Sequence, residues 1–292
     1  MGEAYRPLSL DEALEIAEEK SALPLAGGTD LMVQRRNWSG LPPHIDRPVV
    51  FIGHLHELQE VTVEQDALVI GAGCTLSSIL EDERMPSLLR EAVHSIGGPS
   101  IRSRATIGGN ICNASPAADS LPALYVLGAE VVLTGRKMGT TTMPIEAFIE
   151  GPGKTCLKKG ELLTAIKIPA GKHNITFFKK VGTRASSALA KLSLAAVART
   201  ENGVVKDIRL ALGAVAPTVV SSTEAEELMR DKTPGEIRGE LYRILKAYNT
   251  VLDPIDDQRS TSVYRLKASF RLILSFIGTV LLPDMEKIEK AR

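Results

Sequence analysis

The spacing of apolar residues predicts alternating strands and helices in the first 170 residues. Residues 9–20 carry apolar side chains at helical spacing, and Ser9 with Glu12 three residues later is typical of a capping box. A helix is predicted to begin at Ser115–Pro116 and to end at Gly128. Short apolar runs predict strands over 23–26, 48–52, 61–63, 68–73, 129–134 and 162–168. Further helices are predicted over 31–35, 76–82 and 86–97.

A second pattern begins after the polar segment 169–174, which contains both Pro and Gly and is the best candidate for a domain boundary. Three strands are predicted first, over 175–181, 192–200 and 205–215. Three helices follow, over 222–230, 235–249 and 260–281. We therefore expect an α+β chain with one domain over 1–170 and another over 175–285. In the second, helices should cover one face of a small antiparallel sheet.

The composition of the chain bears on three questions: nucleic-acid partners, membrane spans and metal sites. Lysine plus arginine (35) balance aspartate plus glutamate (35), which gives no reason to expect a nucleic-acid partner. The apolar run 272–282 is shorter than the about 20 residues that cross a bilayer, and the N-terminus lacks the apolar core of a signal peptide. We expect a cytoplasmic protein with no membrane span. The three cysteines match no metal-ligand spacing, so no metal site is expected.

Two glycine-bearing segments carry the candidate chemistry. The first is Pro-Leu-Ala-Gly-Gly-Thr-Asp-Leu at 24–31, and the second, at 105–120, begins Ala-Thr-Ile-Gly-Gly-Asn. Glycine lets backbone N–H groups converge, and converging N–H groups bind oxyanions. The first segment also follows a strand and precedes a helix, which is typical of phosphate binding. Two such loops facing each other predict a clamp for the diphosphate of a dinucleotide.

The common nucleotide-binding motifs are absent from the sequence. No Gly-x-Gly-x-x-Gly follows a strand, and the nearest match, Gly-Ala-Gly at 71–73, lacks the third glycine. There is also no P-loop motif. A dinucleotide would therefore be held in a site of a non-Rossmann type.

The chain resembles the FAD-binding (medium) subunits of the molybdenum hydroxylases, the group that contains xanthine, carbon monoxide and nicotinate dehydrogenases. The resemblance covers segments in the right order at 5–13, 26–31, 105–111, 115–119, 151–155 and 210–218. It implies a vanillyl-alcohol-oxidase-like FAD domain of two subdomains, followed by a small α+β domain. It also implies an oxidoreductase subunit with FAD as its cofactor.

The resemblance implies a set of cofactor-binding residues. The two glycine segments would surround the diphosphate and the ribityl chain, while Asp119, Leu163 and Lys179 would contact the cofactor elsewhere. Asp119 has another explanation, since the first turn of a helix favours an aspartate without any ligand. The glycine-segment residues are Leu25, Ala26, Gly27, Gly28, Thr29, Asp30, Leu31, Thr106, Ile107, Gly108, Gly109 and Asn110.

The resemblance also implies partners. A molybdenum-cofactor subunit would oxidise the substrate, and a small subunit with two-iron clusters would carry the electrons to this FAD. NAD⁺ or another acceptor would take them, and no residue of this chain is expected to act as general acid or base. Two alternatives stay open: a stand-alone flavin reductase similar to the enolpyruvyl-sugar reductases, and a scaffold that has lost its cofactor.

One position departs from the family pattern. Animal xanthine oxidoreductases have an aromatic residue that stacks on the cofactor near the position of Ile96, which is aliphatic here. Stacking would need another side chain, and aromatic residues make up only 4% of the chain. The candidates are Trp38 and Phe178.

Overall fold

The structure is a computed structural model that describes residues 3–184 and 187–290. The strands in these ranges are β1 (Ala4–Tyr5), β2 (Leu23–Leu25), β3 (Val49–Phe51), β4 (Val61–Glu64), β5 (Ala67–Gly71), β6 (Glu130–Gly135), β7 (Gly139–Pro144), β8 (Ile149–Gly151), β9 (Lys154–Thr155), β10 (Glu161–Pro169), β11 (Ile175–Val181), β12 (Leu192–Glu201) and β13 (Val204–Gly213). The helices are α1 (Leu10–Lys20), α2 (Leu31–Gln34), α3 (Leu76–Glu81), α4 (Ser87–His94), α5 (Pro99–Arg102), α6 (Ile107–Cys112), α7 (Ser120–Val126), α8 (Ile145–Phe148), α9 (Thr223–Glu227), α10 (Pro234–Val251), α11 (Ser262–Phe276) and α12 (Leu282–Lys290). A 3₁₀ turn at His56–Leu58 and a π-helical turn at Ile277–Leu281 complete the set.

The chain forms two compact units that do not follow a single cut in the sequence. The first unit contains residues up to 85, 97–114 and 128–170. The second contains 86–96, 115–127 and the chain from 171 onward. Helices α4 and α7 therefore belong to the second unit although they precede residue 170. The division into domains at 1–170 and 175–285 stays a prediction.

The first unit is built on two main sheets. One is a small parallel sheet in the order β1-β3-β2, and the other is an antiparallel sheet in the order β4-β5-β10-β6-β7. Helix α1 packs its buried Leu14 into a core shared with Val50 and Leu162. Ser9 caps α1 through the Glu12 N–H at 3.2 Å, but the Glu12 carboxylate accepts from the Leu8 N–H at 2.6 Å. In a full capping box the Glu12 carboxylate would accept from the Ser9 N–H, so the second bond of the predicted box is made by the preceding residue instead.

The second unit surrounds an antiparallel sheet in the order β11-β12-β13, as the predicted α+β class requires. One face of β12, including Leu194 and Ala196, shares a core with helices α9 to α12. Helix α7 packs on β12 and β13 as well, where Gly213 lies beside Pro122. Both faces are therefore covered, which corrects the expectation of one covered face. It also explains why β12 is an unbroken apolar run and not an alternating one.

The helix predicted from Ser115 begins five residues later, at Ser120. Residues 115–118 form a turn in which Ser115 O accepts from the Ala118 N–H at 3.0 Å. Pro116 O accepts from the Ala214 N–H at 2.8 Å. Ala214 directly follows β13, so this hydrogen bond ties the Ser-Pro segment to the end of the sheet, and the signal for a helix start is overridden by a tertiary contact.

The apolar run at 272–282 lies in a longer helical stretch, Ser262–Glu286, which is long and apolar enough by length and composition to cross a membrane. The run 272–282 is itself short, but the helix that contains it passes the test of length and composition, so the absence of a membrane span stays a prediction. Its Ile273, Phe276 and Leu281 side chains are fully buried in the core of the second unit. This is the pattern of a core helix with one face turned inward.

Arg265 connects α11 to the end of the sheet. It is 2% exposed, and its guanidinium donates to Ala214 O at 2.8 Å and to Asp257 Oδ1 at 2.6 Å. Ala214 has φ +62°, an uncommon conformation for a residue other than glycine. The arginine therefore holds a strained backbone position in place.

We expect Arg265→Met to lower the free energy of unfolding by about 3 kcal/mol, because one charge-assisted and one carbonyl hydrogen bond are lost from a buried site. Arg243→Met is the control, since its pair with Glu240 lies on the surface and should contribute less than about 0.5 kcal/mol. Urea unfolding followed by circular dichroism measures both. Equal losses in the two variants would contradict this account.

Candidate functional site

The first glycine segment forms a loop, residues 26–30, between strand β2 and helix α2. It leaves the carboxyl end of a parallel strand, where ligands commonly bind in α/β sheets. Gly28 lies at φ +70°, which glycine adopts without steric cost. Within the described residues, the backbone N–H groups from Gly27 to Asp30 donate no hydrogen bond to the chain. These four N–H groups, here named the amide run, can therefore bind an anion.

The second glycine segment is a helix rather than a loop. Thr106 is the N-cap of α6, and its Oγ1 accepts a hydrogen bond from the Gly109 N–H at 3.1 Å. The N–H groups of Ile107 and Gly108 donate to backbone carbonyl groups at 3.0 and 2.9 Å. The expectation of converging amides is therefore wrong for this segment. What it offers a ligand is the Thr106 hydroxyl.

The two segments touch. A Cβ atom added to Gly27 would lie 2.0 Å from Arg104 O, so only glycine permits this approach. Gln34, at the end of α2, donates to the Asp30 carboxylate and to Asn113 Oδ1, the second at 3.2 Å. The structure thus brings together the segments that the sequence separates by about eighty residues.

The paired glycines have different roles. A Cβ atom on Gly108 would lie 2.6 Å from the Cβ of Ala72, so this glycine is needed for packing against strand β5 and the turn that follows it. Gly109 is exposed, and a Cβ atom there would meet only Thr106 Oγ1, at 2.9 Å. Gly109 is therefore the glycine of this pair that faces open space.

Two clefts of the first unit share the junction of the segments, because Ala26 and Thr106 line both. The smaller has a volume of about 400 Å³, and three basic side chains line it: Arg6, His54 and Arg104. The larger has a volume of about 600 Å³. The junction is thus open on more than one side.

The larger cleft contains more of the predicted residues. Gly108, Gly109 and Leu163 line it beside Ala26 and Thr106. Leu163 is buried on β10, next to an irregularity in the pairing with β6. Cys112 also lines this cleft, and burial raises the pKa of its thiol to about 12, so the thiol stays protonated. Apolar walls with a few polar groups are typical of ligand sites.

Asp119 and Lys179 lie in the second unit. Asp119 is buried, and its Oδ2 accepts from Lys180 Nζ at 2.6 Å. Burial raises the pKa of Asp119 to about 6, although the adjacent Lys180 charge and the Ser95 hydroxyl favour the ionised form. Lys179 is exposed on β11. Sequence reasoning missed Lys180, although consecutive strand residues point to opposite faces and only one of two lysines can face inward.

The stacking candidates differ in exposure. Trp38 is 83% exposed after α2, and Phe178 is 8% exposed on β11. Neither residue lines the larger cleft. Which side chain stacks on a cofactor stays an open prediction. Among the described residues, no three His, Cys, Asp or Glu side chains form a group that could hold a metal ion.

Comparisons with known proteins decide the family. Residues 1–171 match the FAD binding domain in molybdopterin dehydrogenase, and residues 177–280 match the CO dehydrogenase flavoprotein C-terminal domain. The chain belongs to the FAD-binding subunits of the molybdenum hydroxylases. The resemblance seen in the sequence is confirmed, and so is FAD as the cofactor. The alternative of a stand-alone reductase receives no support.

Relatives of this family span most of the chain. The xanthine dehydrogenase FAD-binding subunit of Escherichia coli O157:H7 is 34% identical and covers 76% of this chain and 77% of its own length. The glyceraldehyde dehydrogenase medium chain of Sulfolobus acidocaldarius is 32% identical and covers 89% and 91%. The solved CO dehydrogenase from Oligotropha carboxidovorans gives a TM-score of 0.85 at 25% identity, covering 94% of this chain and 95% of that one. The predicted fold class is thereby confirmed.

The residues present fit FAD. The amide run suits a diphosphate, because backbone N–H groups donate to phosphate oxygens. Gly109 keeps a Cβ atom away from the Thr106 hydroxyl, which such an atom would approach to 2.9 Å. The larger cleft supplies apolar walls for the rest of the nucleotide. The donor groups and the shape of the first unit therefore both fit FAD.

We expect Gly28→Ala to raise the dissociation constant of FAD about tenfold or more, because a Cβ atom at positive φ shifts the amide run. Gly139→Ala is a matched control, since Gly139 also lies at φ +70° but has no atom within 4 Å of an added Cβ. Both substitutions introduce the same backbone strain, but only Gly28→Ala should weaken FAD binding. Fluorescence quenching of FAD measures the affinity, and equal loss in both would contradict the assignment.

Proposed function

We propose that this chain binds FAD at the amide run and the larger cleft, receives electrons from iron–sulfur clusters of a partner subunit, and passes them to NAD⁺ or another acceptor. One observation carries the proposal. Gly27, the first residue of the amide run, lines the smaller cleft together with Thr106, in a chain whose residues 1–171 match an FAD-binding family. The other parts of the proposal follow from the binding of FAD at this site.

Each part of the site has a separate task. The amide run and the Thr106 hydroxyl would donate hydrogen bonds to the two phosphates. Leu163 and the neighbouring walls of the larger cleft exclude water from the apolar part of the nucleotide. The full binding set is that predicted from the sequence, with Ile107 and Gly108 supporting the junction from buried positions.

The second unit contributes Asp119 and Lys179 to this proposal. As the family resemblance implies, an ionised Asp119 would accept a hydrogen bond from the cofactor, and the exposed Lys179 would supply a positive charge. We also propose two domains: residues 1–170 form the FAD-binding domain, and residues 175–285 form the C-terminal domain.

The chemistry belongs to the cofactor. Bound FAD can take up electrons singly and give up two together. The chain binds and orients it, and no side chain of this chain is assigned as a general acid or base. Relatives named as subunits or medium chains support a place in a larger assembly. We propose a molybdenum-cofactor subunit and a two-iron iron–sulfur subunit as partners, in the cytoplasm.

Thr106→Val tests the hydroxyl. We expect the dissociation constant of FAD to rise about tenfold, because one charge-assisted hydrogen bond to phosphate is lost. Thr261→Val is the matched control: Thr261 lies in the second unit and caps α11 through the Tyr264 N–H at 3.2 Å, as Thr106 caps α6. Each variant loses a helix cap, about 1 kcal/mol of stability. If the two variants bind FAD equally well, Thr106 has no role beyond its cap.

Electron transfer is tested in the native complex. Complexes with the wild-type chain and with Gly28→Ala are purified, analysed for molybdenum and iron, and reduced with dithionite. The clusters should be reoxidised rapidly by NAD⁺, oxygen, ferredoxin or a quinone only where FAD is bound. Clusters that reoxidise at the same rate without FAD would overturn the electron-transfer role. A chain that purifies alone with FAD and reduces a small substrate would favour a self-contained enzyme.

A further inference from the structure

Helix α11 carries uncompensated positive charge on its outer face. The chain as a whole has equal numbers of acidic and basic residues, but no Asp or Glu occurs between residues 258 and 283. Lys267 and Arg271 are exposed, about one helical turn apart, and neither forms an ion pair with any residue that the structure describes. Like charges at this spacing repel each other, so an acidic group from outside the helix would stabilise it.

Helix α10, in the same unit, shows the charge pattern of a helix that faces water. Its Arg243 pairs with Glu240 at 2.9 Å, and its Arg238 pairs with Glu286. On α11 the only arginine with an acidic partner is Arg265, which is buried and therefore not part of the outer face. The exposed charge of α11 thus differs from that of an ordinary solvated helix.

The two cations line a cleft between α11 and the end of strand β11, within the second unit. Its volume is about 260 Å³, and its lining residues are Val181, Tyr264, Lys267, Ala268, Arg271 and Leu272. Lys191 adds a third positive charge, because its N–H donates to Val181 O at 2.8 Å and its Nζ lies 5.2 Å from the centre of the Tyr264 ring. The described lining of this cleft is therefore apolar and basic, and it contains no acidic side chain.

Apolar side chains of α11 are exposed on the same side. Val263 and Leu274 share a helix face with Lys267 and Arg271 by their spacing, and they are 60% and 38% exposed. Tyr264, which is next to this face, is 44% exposed. Exposed apolar surface with polar groups around it marks protein–protein interfaces, where tyrosine and arginine contribute most of the affinity. A small anion would neutralise the charges but would leave the apolar side chains in water, whereas a protein segment would cover both.

We propose that the outer face of α11 and its cleft dock an acidic segment of a partner subunit, whose carboxylates pair with Lys191, Lys267 and Arg271. The inference rests on the proposed function, which includes partner subunits. It adds a surface of the second unit that takes no part in FAD binding. Complementary charges orient two proteins as they meet, and the exposed apolar side chains are then buried between them.

The test is the recovery of partner subunits with the affinity-tagged chain, purified as the native complex and washed at increasing salt. Molybdenum and iron analysis identifies the partners. Lys267→Glu with Arg271→Glu should reduce the recovery of a partner subunit about tenfold, because repulsion replaces attraction. Lys267→Arg with Arg271→Lys keeps both charges and should retain most of it. Arg243→Glu with Lys246→Glu makes the same charge change on the exposed side of α10 and should have little effect.

Carbodiimide cross-linking identifies the occupant, because it joins a lysine to a neighbouring carboxylate. In the wild-type complex, Lys191 or Lys267 should be linked to an Asp or Glu of a partner subunit. Links from these lysines only to a second copy of this chain would overturn the inference. Full recovery of the partner subunits with the charge-reversed variant would overturn it as well.

The dissociation constant of FAD separates this inference from the proposed function. Lys267 and Arg271 are exposed, so the charge-reversed variant should fold and bind FAD as the wild type does, measured by circular dichroism and fluorescence quenching. The neutral variant, Lys267→Gln with Arg271→Gln, guards against misfolding, and its recovery of partners should depend less on salt. If charge reversal releases the partners but even the wild-type chain binds no FAD, the proposed function fails and the docking surface stands.

Discussion

The contact between Gly27 and the Arg104 carbonyl group is the constraint on which the site depends. An added Cβ atom would lie 2.0 Å from that oxygen, so the loop after β2 can reach the backbone before α6 only through a glycine. This contact holds Gly27, the first residue of the amide run, at the smaller cleft, which Thr106 also lines. In the proposed site, which has no Rossmann motif, the donors for a diphosphate come from this loop, and the second segment supplies the Thr106 hydroxyl.

Most of the fold could be predicted because its signals are local. Strands such as β11 and β12 appear as apolar runs, and the helix after Thr233 begins with a full capping box. The failures have tertiary causes. The helix expected from Ser115 is displaced because Pro116 O is bonded to Ala214, and the sheet of the second unit gains a second covered face from α7, a helix distant in sequence.

The sequence predicts residues for the site, and the structure gives their geometry. Gly27, Thr106 and Leu163 were predicted and line the two clefts, but glycine spacing could not show that α6 begins at Ile107 and uses the amides there. Nor could it separate Gly108, which packs against Ala72, from the exposed Gly109. Lys180 was missed because it pairs with Asp119, sixty-one residues earlier in the chain. Long-range pairs of this kind leave no periodic signal in a single sequence.

The central claim is that the amide run binds the diphosphate of FAD, and amide chemical shifts test it most directly. In ¹⁵N-labelled protein titrated with FAD, the largest shifts should fall on Gly27 to Asp30, while the amides of Ile107 and Gly108, already bonded to carbonyl groups, should move little. Binding of FAD that leaves the resonances of Gly27 to Asp30 unchanged would contradict the account.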